Sequence, residues 1–354
     1  MKMKTGLAAL VTALLLLPGI AQADELPMKA EVPITLTSPS AILCEASTGQ
    51  VIFEKNADER RPVASVNKVM TILLTLEAVD EGRVSLEDQV TVSPRAASMG
   101  GSQAFLDAGE RYKLSELLKT VIVASANDSA VALAEHLAGT EESFVQLMNA
   151  RAEELGLTNT HYANCTGLPA QEHYTTARDV AKLSAQLDLH PIYYRYSTIW
   201  MDEIKHRGGR VTSLTNTNRL IRFYPGCDGY KTGSTNEARY CVSATAKKEG
   251  MRLIAVVLGT PAGQTRFDEA RAMLEYGFAN VQLVTPIAQG QALDEYPMPD
   301  EQVSAPDMQE YGYFYDGMLP VTRERALELD AAGLTVYVLH EDNTESMVFD
   351  PQEI

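Results

Sequence analysis

The sequence predicts an α/β (α+β) fold: an antiparallel sheet with a block of helices stacked on it, followed by a small, mostly β domain. Three observations carry this. Strand-like runs lie at both ends of the first 280 residues and helical periodicity fills the middle, so the first and last strands must meet in space with the helices between them. A chain of 354 residues, 45% of them hydrophobic, has material for two domains. Acid is concentrated at one end. From residue 282 onward fifteen Asp and Glu face only Arg323 and Arg325, a balance of −13 within a total of −17. That change of composition marks a boundary, giving expected domains at 24–281 and 282–354.

In chain order, Lys2 and Lys4 precede an apolar run over residues 7–20 and the small-x-small site Ala21-Gln22-Ala23. The run is too short to span a bilayer, so residues 1–23 read as a secretory signal peptide and the protein as exported across the cytoplasmic membrane. Residues 41–45 and 51–55, joined through Ser47-Thr-Gly-Gln50, read as a β-hairpin. A helix starts near Ser65 and is apolar on nearly every face to Val79, the pattern of a buried helix. Helical periodicity returns over 114–123 and 129–137, with a break at 124–128, and again over 141–155 and 176–187. The pattern then becomes β-rich at 229–233, 240–246 and 251–258, with Gly250 at the last turn, and a helix over 265–278 closes the region. Beyond it, 334–339 is strand-like.

Composition excludes several functions. The net negative charge argues against nucleic acid or anionic lipid as a general partner. Cys44, Cys165, Cys227 and Cys241 show no Cys-x-x-Cys spacing, and there is no His-Glu-x-x-His, so no metal site or cofactor is expected. Cys227 and Cys241 either face each other across neighbouring strands or are buried free thiols.

Three short motifs carry chemistry. In Ser65-Val-Asn-Lys68 the serine and lysine lie on one face of a helix start. A serine hydroxyl is a weak nucleophile until a base takes its proton, and a lysine becomes such a base only when an apolar surround lowers its pKa. The alternative is that Ser65 only caps the helix and Lys68 reaches out to solvent. Ser125-Ala-Asn127 occupies the helix–helix break, where a hydroxyl can relay a proton and an amide can hold a substrate peptide group; a plain turn with a helix cap is the alternative. Lys231-Thr-Gly-Ser234 lies on a strand. There Lys and Thr suit a carboxylate and Gly lets a substrate backbone come close, unless it is only a strand end with a turn glycine.

Each motif alone is cheap: Ser-x-x-Lys is expected about once by chance in a chain this long. All three, in this order and on these elements, resemble the penicillin-recognising serine enzymes. The surrounding 125–135, Asp228-Gly-Tyr-Lys-Thr-Gly233 and Arg266-Phe267 narrow the likeness to D-alanyl-D-alanine carboxypeptidases, the low-molecular-weight penicillin-binding proteins, over about residues 33–280. The resemblance implies a β-lactamase/transpeptidase-like domain. It implies Ser65 as acylated nucleophile, Lys68 as general base, and Ser125 passing a proton to the departing D-alanine. Asn127 would hold the substrate amide, and Lys231, Thr232 and Arg266 the terminal carboxylate. Gly233 and Ser234 complete the site, the Ser65 and Ser234 N–H groups forming the oxyanion hole. Peptidoglycan stem peptides ending in D-Ala-D-Ala and β-lactam antibiotics are the implied partners.

Two positions depart from the family. Arg239 stands where a glycine is usual, and residues 346–354 are short, acidic and without basic residues, so no membrane anchor is expected from them. Among rivals, a serine β-lactamase would need a second base for the deacylating water. No Glu-x-x-Leu-Asn follows residue 140, and Glu141, Glu142, Glu153 and Glu154 read as a solvated helix face. A Ser-His-Asp hydrolase lacks its nucleophile elbow, and His173 reads as a loop histidine near the site with an ordinary hydrogen bond. A non-catalytic peptidoglycan-binding module is disfavoured because every motif side chain is present.

Overall fold

The computed structural model describes residues 34–281 and, beyond them, the backbone of four short strands. The hairpin forms as the sequence expects, with strands β1 (Ser40–Glu45) and β2 (Val51–Lys55). The buried Glu45 carboxylate closes its turn by accepting from the backbone N–H groups of Ser47 and Thr48 at 3.0 and 2.8 Å and from both hydroxyls. A 3₁₀ turn, Ala64–Asn67, leads into α1 (Lys68–Asp80). That helix is buried on almost all sides, as its composition requires, and its two buried threonine hydroxyls donate to the carbonyls of Cys165 and Thr71.

Next come β3 (Gln89–Thr91), α2 (Pro94–Ala97), β4 (Arg111–Lys113), α3 (Leu114–Val123), α4 (Asn127–Ala138), α5 (Glu141–Glu154) and α6 (Ala177–Gln186). Thr140 and Thr176 cap α5 and α6 by accepting from Ser143 and Asp179 N–H. Then follow α7 (Tyr193–Ser197), β5 (Met201–Lys205), β6 (Val211–Thr215), α8 (Leu220–Phe223), β7 (Cys227–Thr235), β8 (Arg239–Lys248), β9 (Met251–Thr260) and α9 (Thr265–Asn280). Two two-stranded antiparallel sheets, β3–β4 and β5–β6, have no counterpart in the sequence reading.

The main sheet is antiparallel in the order β2-β1-β9-β8-β7. The first strand meets the last directly, Ser40 opposite Leu258 and Glu45 opposite Leu253. β8 and β9 are buried on both faces, because α9 covers one side and α6 the other. β7 is left as an edge strand, and the edge carries Lys231-Thr-Gly-Ser234. The core runs from this sheet through α1 into α3, α4 and α5.

Past residue 281, β10 (Tyr313–Tyr315), β11 (Leu319–Val321), β12 (Val336–Leu339) and β13 (Glu345–Ser346) form an antiparallel sheet in the order β11-β10-β12-β13. The expected signal peptide and the rest of the acidic region lie outside the described residues.

One detail corrects the sequence reading and a second decides between its two alternatives for the cysteines. Glu141 is buried rather than solvated. Its carboxylate accepts from the Cys165 N–H and thiol at 3.4 Å and pairs with Arg95 at 3.0 Å. Cys227 sits opposite Ala246 and Cys241 opposite Gly233, so the two do not face each other, and all four cysteines are buried free thiols.

Candidate active site

The Ser65 turn begins with Ala64 in the left-handed region (φ 51°) and its methyl buried. This kink delivers Ser65, half-buried, to the mouth of α1. Lys68 is 0% exposed. Its Nζ lies 2.9 Å from Ser65 Oγ and 2.6 Å from the Thr166 carbonyl oxygen. It does not reach solvent. Burial lowers its pKa from 10.5 to about 7, against smaller opposing contributions from Cys165 and Asp128. A neutral amine beside a hydroxyl is therefore available near pH 7, which is what a general base for serine requires.

Thr166 contributes a backbone carbonyl, which no side-chain pattern in the sequence marks. Asn164 builds the turn that presents it: Oδ1 accepts from Thr166 N–H, Thr166 hydroxyl and Gly167 N–H at 3.1, 3.0 and 2.7 Å. The Asn-x-Thr-Gly spelling is the only sequence signal of this turn.

Ser125 lies between α3 and α4 at φ 63°, 3% exposed, and its Oγ has no partner. A strained, buried and unsatisfied hydroxyl marks a position held for something else. Asn127 Nδ2 donates to the Gly100 carbonyl at 2.7 Å, while its buried Oδ1 is unpartnered and so remains free to accept. The Asp128 carboxylate ties the 100–106 loop to the start of α4 through Ala104 and Leu106 N–H at 3.0 and 3.1 Å.

On β7, Lys231 is wholly buried, and burial, then Lys68, then Arg266 hold its pKa well below 10.5. Thr232 is buried beside it, and Ser234 is exposed at the rim. At Gly233 the protein's own nucleophile turn approaches the bare Cα. A Cβ there would stand 2.5 Å from Val63 O, 2.8 Å from Ser65 N and 2.9 Å from Val66 N. Gly233→Ala is therefore expected to wedge β7 away from Ser65. Acylation by a labelled penicillin should fall about 10²-fold, the usual cost of an ångström of misplacement.

Arg266, in the first turn of α9, donates through Nη1 to the carbonyls of Gly233 (2.9 Å) and Cys241 (3.3 Å). The guanidinium sits over the Phe267 and Tyr240 rings at 4.7 and 5.5 Å. It thus joins the β7 end of the site. Arg239 opens β8 at φ 56°, a backbone conformation where glycine is at ease, and its side chain is exposed. Ser65, Lys68, Lys231, Gly233 and Arg266 are thus brought together, with Ser125 and Asn127 at the α3–α4 break contacting none of them by hydrogen bond. Among the described residues no cluster of His, Cys, Asp and Glu could hold a metal.

A serine–lysine pair at a helix mouth, laid against a Lys-Thr-Gly edge strand, is the arrangement of the penicillin-recognising serine enzymes. Residues 27–262 match the D-alanyl-D-alanine carboxypeptidase family model, and the chain belongs to that family. It is 45% identical over 240 residues to the D-alanyl-D-alanine carboxypeptidase DacF of Bacillus subtilis, covering 68% of this chain and 62% of that one. It is 38% identical over 265 residues to DacC of Escherichia coli, covering 72% and 65%. The chain thus spans under two thirds of the length of these relatives. The crystal structure of penicillin binding protein 6B from Escherichia coli superposes with a TM-score of 0.69 at 33% identity, over 75% of this chain and 84% of that one.

Proposed function

We propose that this protein is a serine-type D-Ala-D-Ala carboxypeptidase that trims the terminal D-alanine from peptidoglycan stem peptides and is acylated by β-lactams. The observation that carries the reading is Lys68 Nζ at 2.9 Å from Ser65 Oγ in a buried enclosure that brings the pKa of the amine down to about 7. Ser65 Oγ attacks the penultimate carbonyl as its proton passes to Lys68. The developing oxyanion is held by the N–H groups of Ser65 and Ser234. Lys68 returns that proton through the Ser125 hydroxyl, which gives its own proton to the departing amine and takes the one from Lys68 as the C–N bond breaks, and water then hydrolyses the Ser65 ester. Asn127 holds the substrate amide; Lys231, Thr232 and Arg266 hold the terminal carboxylate. Residues 24–281 form the catalytic domain, and residues 1–23 export it to the cell envelope or beyond. Among the described residues no helix is long and apolar enough to cross a membrane.

The β-lactamase reading loses support at Glu141, whose carboxylate is engaged by Cys165 and paired with Arg95. The test is incubation with a labelled penicillin followed by peptide mapping, beside assay of D-alanine release from a peptide ending in D-Ala-D-Ala. The adduct is expected on Ser65, and Ser65→Ala should abolish both adduct and release. An adduct elsewhere, or penicillin turned over without D-alanine release, sinks the reading.

A further inference from the structure

His173 lies at the wall of the nucleophile turn, and its two ring nitrogens have different partners. Nδ1 accepts from the Ala163 N–H at 3.1 Å, which fixes the proton on Nε2, and Nε2 donates to Asn67 Oδ1 at 2.9 Å. The ring is neutral near pH 7, because burial, helped slightly by His161, lowers its pKa to about 4. The tautomer is therefore single and the hydrogen bond directed. Asn67 is buried, directly precedes Lys68, and ends the 3₁₀ turn. Its Nδ2 donates to the Asn164 carbonyl at 3.2 Å, on the turn that presents Thr166 to Lys68. Asn67 is thus clamped from both ends by the 163–173 loop. The imidazole also borders a cavity of about 40 Å³ shared with Val63, Ala64 and Gly167, and the Tyr162 ring meets it edge-on at 6.2 Å.

We propose that His173 is a positioning residue for acyl transfer: through Asn67 it holds the Ser65 turn against the Thr166 loop, so that Ser65 Oγ and Lys68 Nζ stay within proton-transfer distance. This rests on the reading that Ser65 is acylated. His173 touches neither the serine nor the lysine, so its effect should fall on the chemical step and leave substrate binding alone.

The two ring contacts can be tested separately. A glutamine amide reaches where Nε2 sits and keeps the donor to Asn67. An asparagine amide reaches only where Nδ1 sits and keeps the acceptor for Ala163. The full chain, as His173→Gln and His173→Asn, is followed by stopped-flow acylation with a fluorescent penicillin. His173→Asn is expected to lower the limiting acylation rate 10–100-fold with the half-saturating penicillin concentration unchanged, while His173→Gln stays within about threefold of wild type. The reverse ranking, or equal rates for both, overturns the proposal, since the histidine would then serve only to anchor the loop. Should His173→Asn fail to fold, Asn67→Leu, which removes the acceptor at similar volume, poses the same question, and wild-type acylation by it is equally fatal. A wild-type protein that takes no penicillin on Ser65 would instead remove the functional reading itself.

Discussion

Lys68→Arg is expected to fold and to be acylated by penicillin about 10³-fold more slowly than the wild type, within the 10²–10⁴-fold range that general-base catalysis supplies. The wild-type amine sits in a fully buried site and has its pKa lowered to about 7 by that burial. Above pH 7 it is neutral and can take the Ser65 proton. Below pH 7 it is an ammonium with no lone pair to offer. Acylation of the wild type should therefore rise with pH through about 7 and level off above it. A guanidinium stays protonated throughout, so Lys68→Arg should show no such rise. It should also melt at a lower temperature, because a permanent charge replaces a group that can shed its own when buried. Circular dichroism checks the fold and quenched-flow acylation between pH 5 and 9 checks the mechanism. Wild-type acylation by Lys68→Arg would make Lys68 a structural residue.

The central helix was legible because residues 66–79 are apolar on all faces, a pattern with one reading in a domain of this size. The closing of the sheet was legible too, since β-rich runs stood at both ends of the helical block and strand pairing β1–β9 satisfies both. The three motifs were legible as a set, and the structure brings the Ser65 turn, Lys68 and Gly233 into contact. What the sequence hid has physical causes. β3 and β4 are three residues long with only their middle residue buried, too short for a period of two to show. Glu141 looked like part of a solvated face because a first-turn glutamate usually is one. Its burial follows from Arg95 and Cys165, which reach it from elsewhere in the chain. Thr166 acts through its carbonyl, and any residue has one, so no side-chain pattern could point to it.

Gly167→Ala should be the most damaging of the single-methyl changes, although it alters no motif. Gly167 stands at φ 82°, where any other residue costs about 1–2 kcal/mol. The larger effect is collision. Its Cβ would stand inside the Ala64 carbonyl, 2.5 Å from the carbon, and 2.8 Å from Asn67 Cβ. Neither obstacle is the end of a flexible side chain, so backbone must move. Ala64 is itself held at φ 51° with its methyl buried, so the nucleophile turn has little slack. If the 164–168 turn lifts instead, the Thr166 carbonyl leaves Lys68 and water enters beside the amine. Its pKa would then climb back toward 10.5, and the pH at which acylation reaches half its limit would climb with it. The expected result is a loss of about 3 kcal/mol or more in stability, from overpacking added to the backbone strain. With it should come acylation at least 10²-fold slower and an acid limb displaced to higher pH. Gly156→Ala is the control: it has the same left-handed backbone (φ 63°) but nothing within 4 Å of its Cβ, so it incurs only the conformational cost. Denaturant melts of both variants, with acylation measured across pH, separate the two effects. Equal losses in the two would mean that the contact between Gly167 and the Ser65 turn does not hold the lysine in place.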